Sequence, residues 1–399
     1  MTTPTRQARH ARAAVAALFL TNGAVFFNVV PRYPQIREDL GLSNVALGSA
    51  IAAMPVGALI AGLLAATLIR RYASARLAAF GVTLTTLCAL AIPFAPNGFA
   101  LAAVMFVFGA VDAVIDVAQN SHGLRVQRLY GRSIVNSLHG VWSIGAVLGG
   151  LMGSAAAGLN LSLGLHLAIS AVIFSTVALV AYRFLLPGPD EPAVPAADTT
   201  TSKSKSTSAT VVRLLAALGL LAACGALVED AGASWGALFL TDELHTDAAT
   251  AGLAVVSMQV AMTIGRLTGD RAVDRFGQRA VVRAGGALTA LGMAAALAYP
   301  TVGTALAGFA LAGLGVATLV PAAMHTADEL PGLSPGTGLT VVSWLLRAGF
   351  LISPPLVGFV ADQSSLRAGL STVVAAGLLT VVLARVLVDH TAAAPRPTT

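Results

Sequence analysis

Residues 265–279 read GRLTGDRAVDRFGQR, a basic, glycine-punctuated stretch set between two long apolar runs. A degraded copy lies 204 positions earlier, where Arg71-Tyr72-Ala73 answers Arg275-Phe276-Gly277. Each copy joins two runs long enough to cross a bilayer as helices, because about 20 residues at about 1.5 Å each match the hydrocarbon thickness. A tight basic loop repeated at half-chain spacing predicts a duplicated membrane protein.

Composition agrees. The chain has 399 residues, of which 56% are hydrophobic and 11% charged, and its mean hydropathy is +0.80. That leaves too little polar surface to cover a water-soluble fold. The 40 glycines suit helices that pack closely through small residues. The apolar runs are continuous, whereas a transmembrane barrel needs short alternating segments. The expected fold is therefore all-α and polytopic. Twelve spans are expected at 13–30, 44–69, 77–95, 99–122, 134–158, 165–186, 211–240, 248–268, 280–299, 301–324, 338–360 and 368–388.

An even number of spans puts both termini on one side. Twenty arginines and lysines fall on that side, and only Arg32, Arg37 and Arg367 on the other. Such a bias predicts cytoplasmic termini in a multi-pass protein of the cytoplasmic membrane. The net charge of +6 is then a topology signal, and a nucleic-acid partner is excluded. Arg6, Arg9 and Arg12 ahead of an apolar run resemble a signal peptide, but no A-x-A-like site follows, so an uncleaved first span is expected. Cys88 and Cys224 both fall inside spans and make no disulfide framework. No spacing of Cys and His suggests a metal, and no phosphate-binding loop or hydrolase elbow suggests a cofactor or an enzyme.

Residues 187–210, PGPDEPAVPAADTTTSKSKSTSAT, cannot bury apolar area and read as a flexible connector. They divide the chain into six-span halves, 1–186 and 211–399. The 204-residue offset continues beyond the opening stretch, with Gly109 answering Gly313, Gly145 answering Gly349 and Phe108 answering Ala312. Parallel six-helix repeats are a transporter plan, with the substrate site at the interface near mid-membrane.

These features resemble the major facilitator superfamily over essentially the whole chain. Its signature between the second and third spans of a half, G-x-x-x-D-R-x-G-x-R, is met by Asp270, Asp274, Arg275, Gly277 and Arg279, with the first glycine displaced to Gly269. The first-half copy departs from it: Arg70 stands where the acidic residue usually sits, and Ala73 replaces the glycine. Asp116 to Asn120, His139 to Ser143, Glu229 to Trp235, and Pro354-Pro355 after Gly349-Phe350 are similar to a bacterial branch related to fucose permease, most of whose members have no assigned substrate. That branch usually carries an acidic residue where this chain has Ser234, and Asp230 is placed to substitute in part. The resemblance implies two pseudo-symmetric six-helix halves, alternating access, and a signature in which Asp270, Arg271, Asp274, Arg275, Gly277 and Arg279 clamp one conformation.

Ionisable groups at membrane depth are costly unless paired or hydrated, so each is a functional candidate. Asp112, Asp116 and Asn120 share one stripe of the fourth span at i, i+4 and i+8. They read either as a cavity wall, with Asp112 also a candidate for proton coupling, or as bonds that brace the helix end. Glu229 and Asp230 interrupt the seventh span and point about 100° apart. A partly desolvated carboxyl there could exchange protons during transport, or could only hold a gate. Arg347, in the eleventh span, stays charged and needs an anion: a carboxylate of the other half, backbone carbonyls or the substrate. Asn22, Asn28, His139, Trp142 and Gln259 are further candidates for lining a cavity. His122 and His166 read as structural.

The expected function is secondary transport of a small polar or anionic solute, with protons and the bilayer as the other partners and a monomer sufficient. No nucleotide-binding motif supports direct ATP drive. Drug antiporters of the superfamily commonly carry a glycine-proline signature in the fifth span, and the stretch from Gly145 to Gly153 contains no proline. Proton-driven efflux remains the second reading, with a membrane-embedded receptor or enzyme a distant third.

Overall fold

The structure, a computed structural model, describes residues 5–131, 134–188, 209–330, 333 and 337–387. Twelve helices in these residues are long and apolar enough to cross a membrane. The first half comprises α1 (Arg6–Val29), α2 (Asn44–Tyr72), α3 (Ser74–Leu90), α4 (Gly98–Tyr130), α5 (Val135–Gly158) and α6 (Leu163–Tyr182). The second comprises α7 (Ala209–Asp242), α8 (Ala248–Phe276), α9 (Gln278–Ala298), α10 (Val302–Val316, resuming at Leu319–Asp328), α11 (Thr337–Gln363) and α12 (Leu366–Leu383). No strand occurs among the described residues. Most of the connector, with Lys203 and Lys205, lies outside them, as do Arg132 and Arg396.

Phe99 (90% exposed), Leu63 (73%) and Leu291 (71%) stand on the outer surface. Apolar groups that large are tolerated there because the surroundings are hydrocarbon.

Each even-numbered helix starts at the end of the bundle away from the chain termini, and each starts on a polar cap. Ser43, Asn97, Ser162, Asp247, Thr301 and Ser365 accept from the first-turn amides of α2, α4, α6, α8, α10 and α12. Orphan amides at a membrane boundary demand such partners. Ser43 and Asp247, like Asn97 and Thr301, stand 204 positions apart, so the repeat governs helix initiation as well as glycine placement.

The repeat also sets packing. A Cβ on Gly109 would lie 2.0 Å from the Met54 carbonyl oxygen, and one on Gly313 would lie 2.3 Å from that of Met258. Met54 and Met258 are again 204 apart. In both halves the fourth helix therefore touches the second backbone to backbone, which only glycine permits. The halves meet along two related seams. On one, α2 packs against α11 through Gly48 and Gly358; on the other, α5 packs against α8 through Gly158 and Gly252.

Three expectations need correction. The opening stretch is not a loop: residues 265–276 are the last three turns of α8, and only Gly277 separates them from α9. Its glycines serve packing, since a Cβ on Gly269 would meet Thr318 at 2.4 Å and one on Gly265 would meet Ala317 at 2.6 Å. The tenth span is broken at Ala317-Thr318, where those glycines press against it. The fourth span runs eight residues further than its predicted end, to Tyr130, which carries Asn120 well inside the helix.

The two signature turns have the same backbone. Gly277 has φ 82° and ψ 149°, and Ala73 has φ 67° and ψ 146°. Glycine reaches this region freely, whereas alanine is strained in it.

Candidate functional site

Polar side chains of both halves converge between the seams. In the first half, Asn22 is bonded through both ends of its amide: Nδ2 donates to Asp112 Oδ1 at 2.7 Å, and Oδ1 accepts from Trp142 Nε1 at 2.8 Å. Phe27 packs edge-on against Trp142 with centroids 6.1 Å apart, which fixes the indole. One turn nearer the termini end, Asn120 Nδ2 donates to Asp116 Oδ1 at 3.0 Å, and its Oδ1 lies 3.1 Å from His139 Nε2. Spacing by four on α4 supplies Asp112, Asp116 and Asn120, while α5 brings His139 and α1 brings Asn22.

The second half answers with charge. Arg347 on α11 is exposed and lies within electrostatic range of Asp116 across the interface. It makes no hydrogen bond or ion pair among the described residues. Arg266 on α8 reaches Glu229 of α7 at 3.4 Å and also acts on His139. Sequence reasoning counted Arg266 only among the topology-setting charges. Its place ten residues before the helix end, at membrane depth, is the signal that could have singled it out.

The paired carboxylates of α7 diverge. Glu229 is half-buried beside Arg266, whereas Asp230 is turned into the bundle, where Ser234 Oγ donates to its Oδ1 at 3.1 Å. Ser234 thus supports Asp230 at the position where the related branch carries an acid. Ser353 of α11 also stands beside Asp230; among the described residues the Tyr33 hydroxyl is buried without a hydrogen-bond partner, and it interacts electrostatically with Asp230 across the halves.

Other candidates lie elsewhere. Asn28 is 1% exposed, and its amide is taken up by Ser170 at 2.5 Å and His166 at 2.9 Å. It braces α1 against α6 and does not line the interface. Gln259 is buried on α8 with no side-chain hydrogen bond among the described residues. His122 holds α4 against α3, 2.9 Å from Ser74 Oγ.

The signature residues divide into two sets. Arg279 donates to the Leu387 carbonyl at 2.8 Å from Nη2, and neighbouring Gln278 donates to the Ala322 carbonyl at 2.8 Å, so the start of α9 is tied to α10 and to the chain beyond α12. Arg275 instead lies over the Phe276 ring, 5.3 Å from its centroid. Asp270, Arg271 and Asp274 are exposed and make no hydrogen bond or ion pair among the described residues. The clamping contacts expected of Asp274 are therefore not seen among the described residues.

Between described residues of the two halves, side-chain hydrogen bonds are found at the far end. Arg37 pairs with Asp242 at 2.6 Å, and Asp362 accepts from the Asn44 and Val45 amides at 2.9 and 2.8 Å. At the termini end, Asp116, His139 and Arg347 are exposed.

The model of the Major Facilitator Superfamily matches residues 15–234 and 215–399. The membrane protein MosC of Rhizobium meliloti is 30% identical over 387 residues, covering 96% of this chain and 92% of that protein. Among solved structures, the nucleoside transporter NupG superposes with a TM-score of 0.71 at 15% identity, covering 96% of this chain and 98% of its own. FucP, in its outward conformation, superposes at 0.61 and 18% identity, covering 95% and 99%. The chain belongs to the Major Facilitator Superfamily and is a membrane transporter by family, with the fold of its solved members.

Proposed function

We propose that this chain moves a small polar or anionic organic solute across the cytoplasmic membrane by alternating access, coupled to protons. The observation that carries the solute class is Arg347. A guanidinium held between two transporter halves, exposed and unpaired with any carboxylate among the described residues, is a site for a carboxylate or phosphate of the cargo. Asn22, Asp112, Trp142, Asp116, Asn120 and His139 supply directional hydrogen bonds on the facing wall.

Alternating access is supported by the one-ended distribution of bonds between the halves. Arg37–Asp242 and the Asp362 cap latch the far end, while the charged wall opens toward the termini. Breaking that latch and engaging Asp274 at the other end would expose the same wall to the opposite side. The arginine bias makes the termini end cytoplasmic, so the conformation is inward-open.

Coupling is assigned to Glu229. Protonating it removes the partner of Arg266, whose charge then acts on His139 and the facing wall. Asp230 and Asp112 are the other carboxylates placed to carry the proton. The protein works as a monomer without a cofactor or catalysis, and outward proton-driven movement would use the same groups in reverse.

The test is a thermal-shift screen of purified protein against organic anions and neutral polyols, followed by uptake of each hit into proteoliposomes. Anions should stabilise the wild type and not Arg347→Ala. Equal stabilisation of both proteins by anions would remove Arg347 from the site.

A further inference from the structure

A large cavity lies away from the interface, at the termini end of the first half. It encloses 880 Å³ and is lined by Arg6, His10, Arg70, Arg71, Arg76 and Arg183, with no carboxylate among the described residues of its wall. Arg70 donates to Thr67 Oγ1 at 3.0 Å and Arg71 lies over the Tyr72 ring. None of the five arginines forms an ion pair among the described residues. A second cavity of 490 Å³ shares Tyr72 and Arg76 with the first. From there it runs between α2, α3 and α4 over Leu68, Phe80, Leu84, Val111 and Val114, on the surface that faces hydrocarbon.

We propose that these joined cavities bind one anionic phospholipid, its phosphate head group among the arginines and an acyl chain in the groove. The positive-inside bias explains why arginines lie on this side, but not why five of them surround one cavity. A soluble phosphate would use the basic cavity alone; continuity with an apolar groove through Tyr72 and Arg76 is what a lipid requires. Guanidinium forks match phosphate oxygens bidentately, and a cluster of basic groups at a membrane surface attracts anionic head groups. The repeat gives the site its origin. Position 70 is the counterpart of Asp274 and position 76 that of Ala280. Where the second half keeps an acid for its signature, the first half carries arginine, so the departure from the signature builds an anion site.

The experiment is native mass spectrometry of the full-length protein in micelles doped with phosphatidylglycerol or phosphatidylcholine. The wild type should retain phosphatidylglycerol about tenfold over phosphatidylcholine. Arg70→Ala/Arg71→Ala/Arg76→Ala should lose that preference, while Arg283→Ala/Arg385→Ala, equally basic positions of the second half, should keep it. Leu84→Trp, which fills the groove, should weaken lipid binding and leave displacement by inorganic phosphate unchanged. If the triple variant does not fold, Arg70→Asp, which restores the second half's residue type, should show the same loss in smaller measure. Equal binding of the two lipids, equal loss in the second-half control, or binding indifferent to Leu84→Trp and abolished by millimolar phosphate would each overturn the proposal.

Discussion

Asp362 at the end of α11 and Asn44 at the start of α2 join the two halves through a side chain and a backbone: the carboxylate accepts from the Asn44 amide at 2.9 Å and from Val45 at 2.8 Å. The first helix turn of one half is thus capped by the other, and Arg37–Asp242 stands beside it as an ion pair. The latch is built from the orphan donors that every helix start exposes.

Removing that cap should loosen the far end. Asp362→Ala forfeits bonds worth about 1 kcal/mol, so hydrogen exchange at Asn44 and Val45 should accelerate about fivefold. Arg37→Ala should act in the same direction with a smaller effect, since partly exposed ion pairs contribute under about 1 kcal/mol. Exchange at the termini end should slow in both variants as the population moves outward. Acceleration at both ends together would mean general destabilisation and not release of a latch.

The two signature turns make a matched pair for stability. Ala73→Gly should raise the melting temperature by relieving a strained φ of 67°, a net gain of about 1 kcal/mol after glycine's extra chain entropy. Gly277→Ala should lower it, at a free-energy cost of roughly 1–3 kcal/mol. Scanning calorimetry in detergent with lipid compares them directly. A destabilising Ala73→Gly would show that the turn is not strained.

Much of this fold was legible in advance because membrane helices announce themselves by length and hydropathy, and because a duplication writes each feature twice. Family, span number and the Gly109/Gly313 equivalence came from that source. What failed had physical reasons. Glycines at 265 and 269 read as loop punctuation because sequence shows small size but not the helix pressed against it. Asn28 passed for cavity lining because depth along a helix does not say which neighbour it faces, and only the fold brings His166 and Ser170 to it. Arg266 was lost among arginines that set topology. The strongest unread repeat signal was in the caps, Ser43 with Asp247 and Asn97 with Thr301, where chemistry is shared and residue identity is not.

Arg347 discriminates solute classes. Lysine keeps the charge but loses the planar fork, so Arg347→Lys should weaken binding of an anionic solute by roughly tenfold or more and of a neutral one hardly at all. Isothermal titration with a charged and an uncharged analogue of one scaffold makes the comparison. Equal weakening of both would assign Arg347 to helix packing.

Asp274 makes no hydrogen bond or ion pair among the described residues, so its removal should act on the opposite conformation. Asp274→Asn should deepen the far-end latch, visible as slower exchange at Asn44 and Val45, and should slow turnover. Arg70→Gln, at the equivalent position of the first half, should leave that exchange unchanged. An equal effect from both would show that the signature is not a one-sided clamp.

The coupling role of Glu229 is tested most directly by comparing pH-gradient-driven uptake with solute counterflow in proteoliposomes of Glu229→Gln. Driven uptake should vanish while counterflow continues near the wild-type rate, because the glutamine cannot carry a proton but leaves the halves free to rock. Driven uptake equal to wild type would contradict the assignment of Glu229, and loss of counterflow as well would place it in the binding or gating machinery instead.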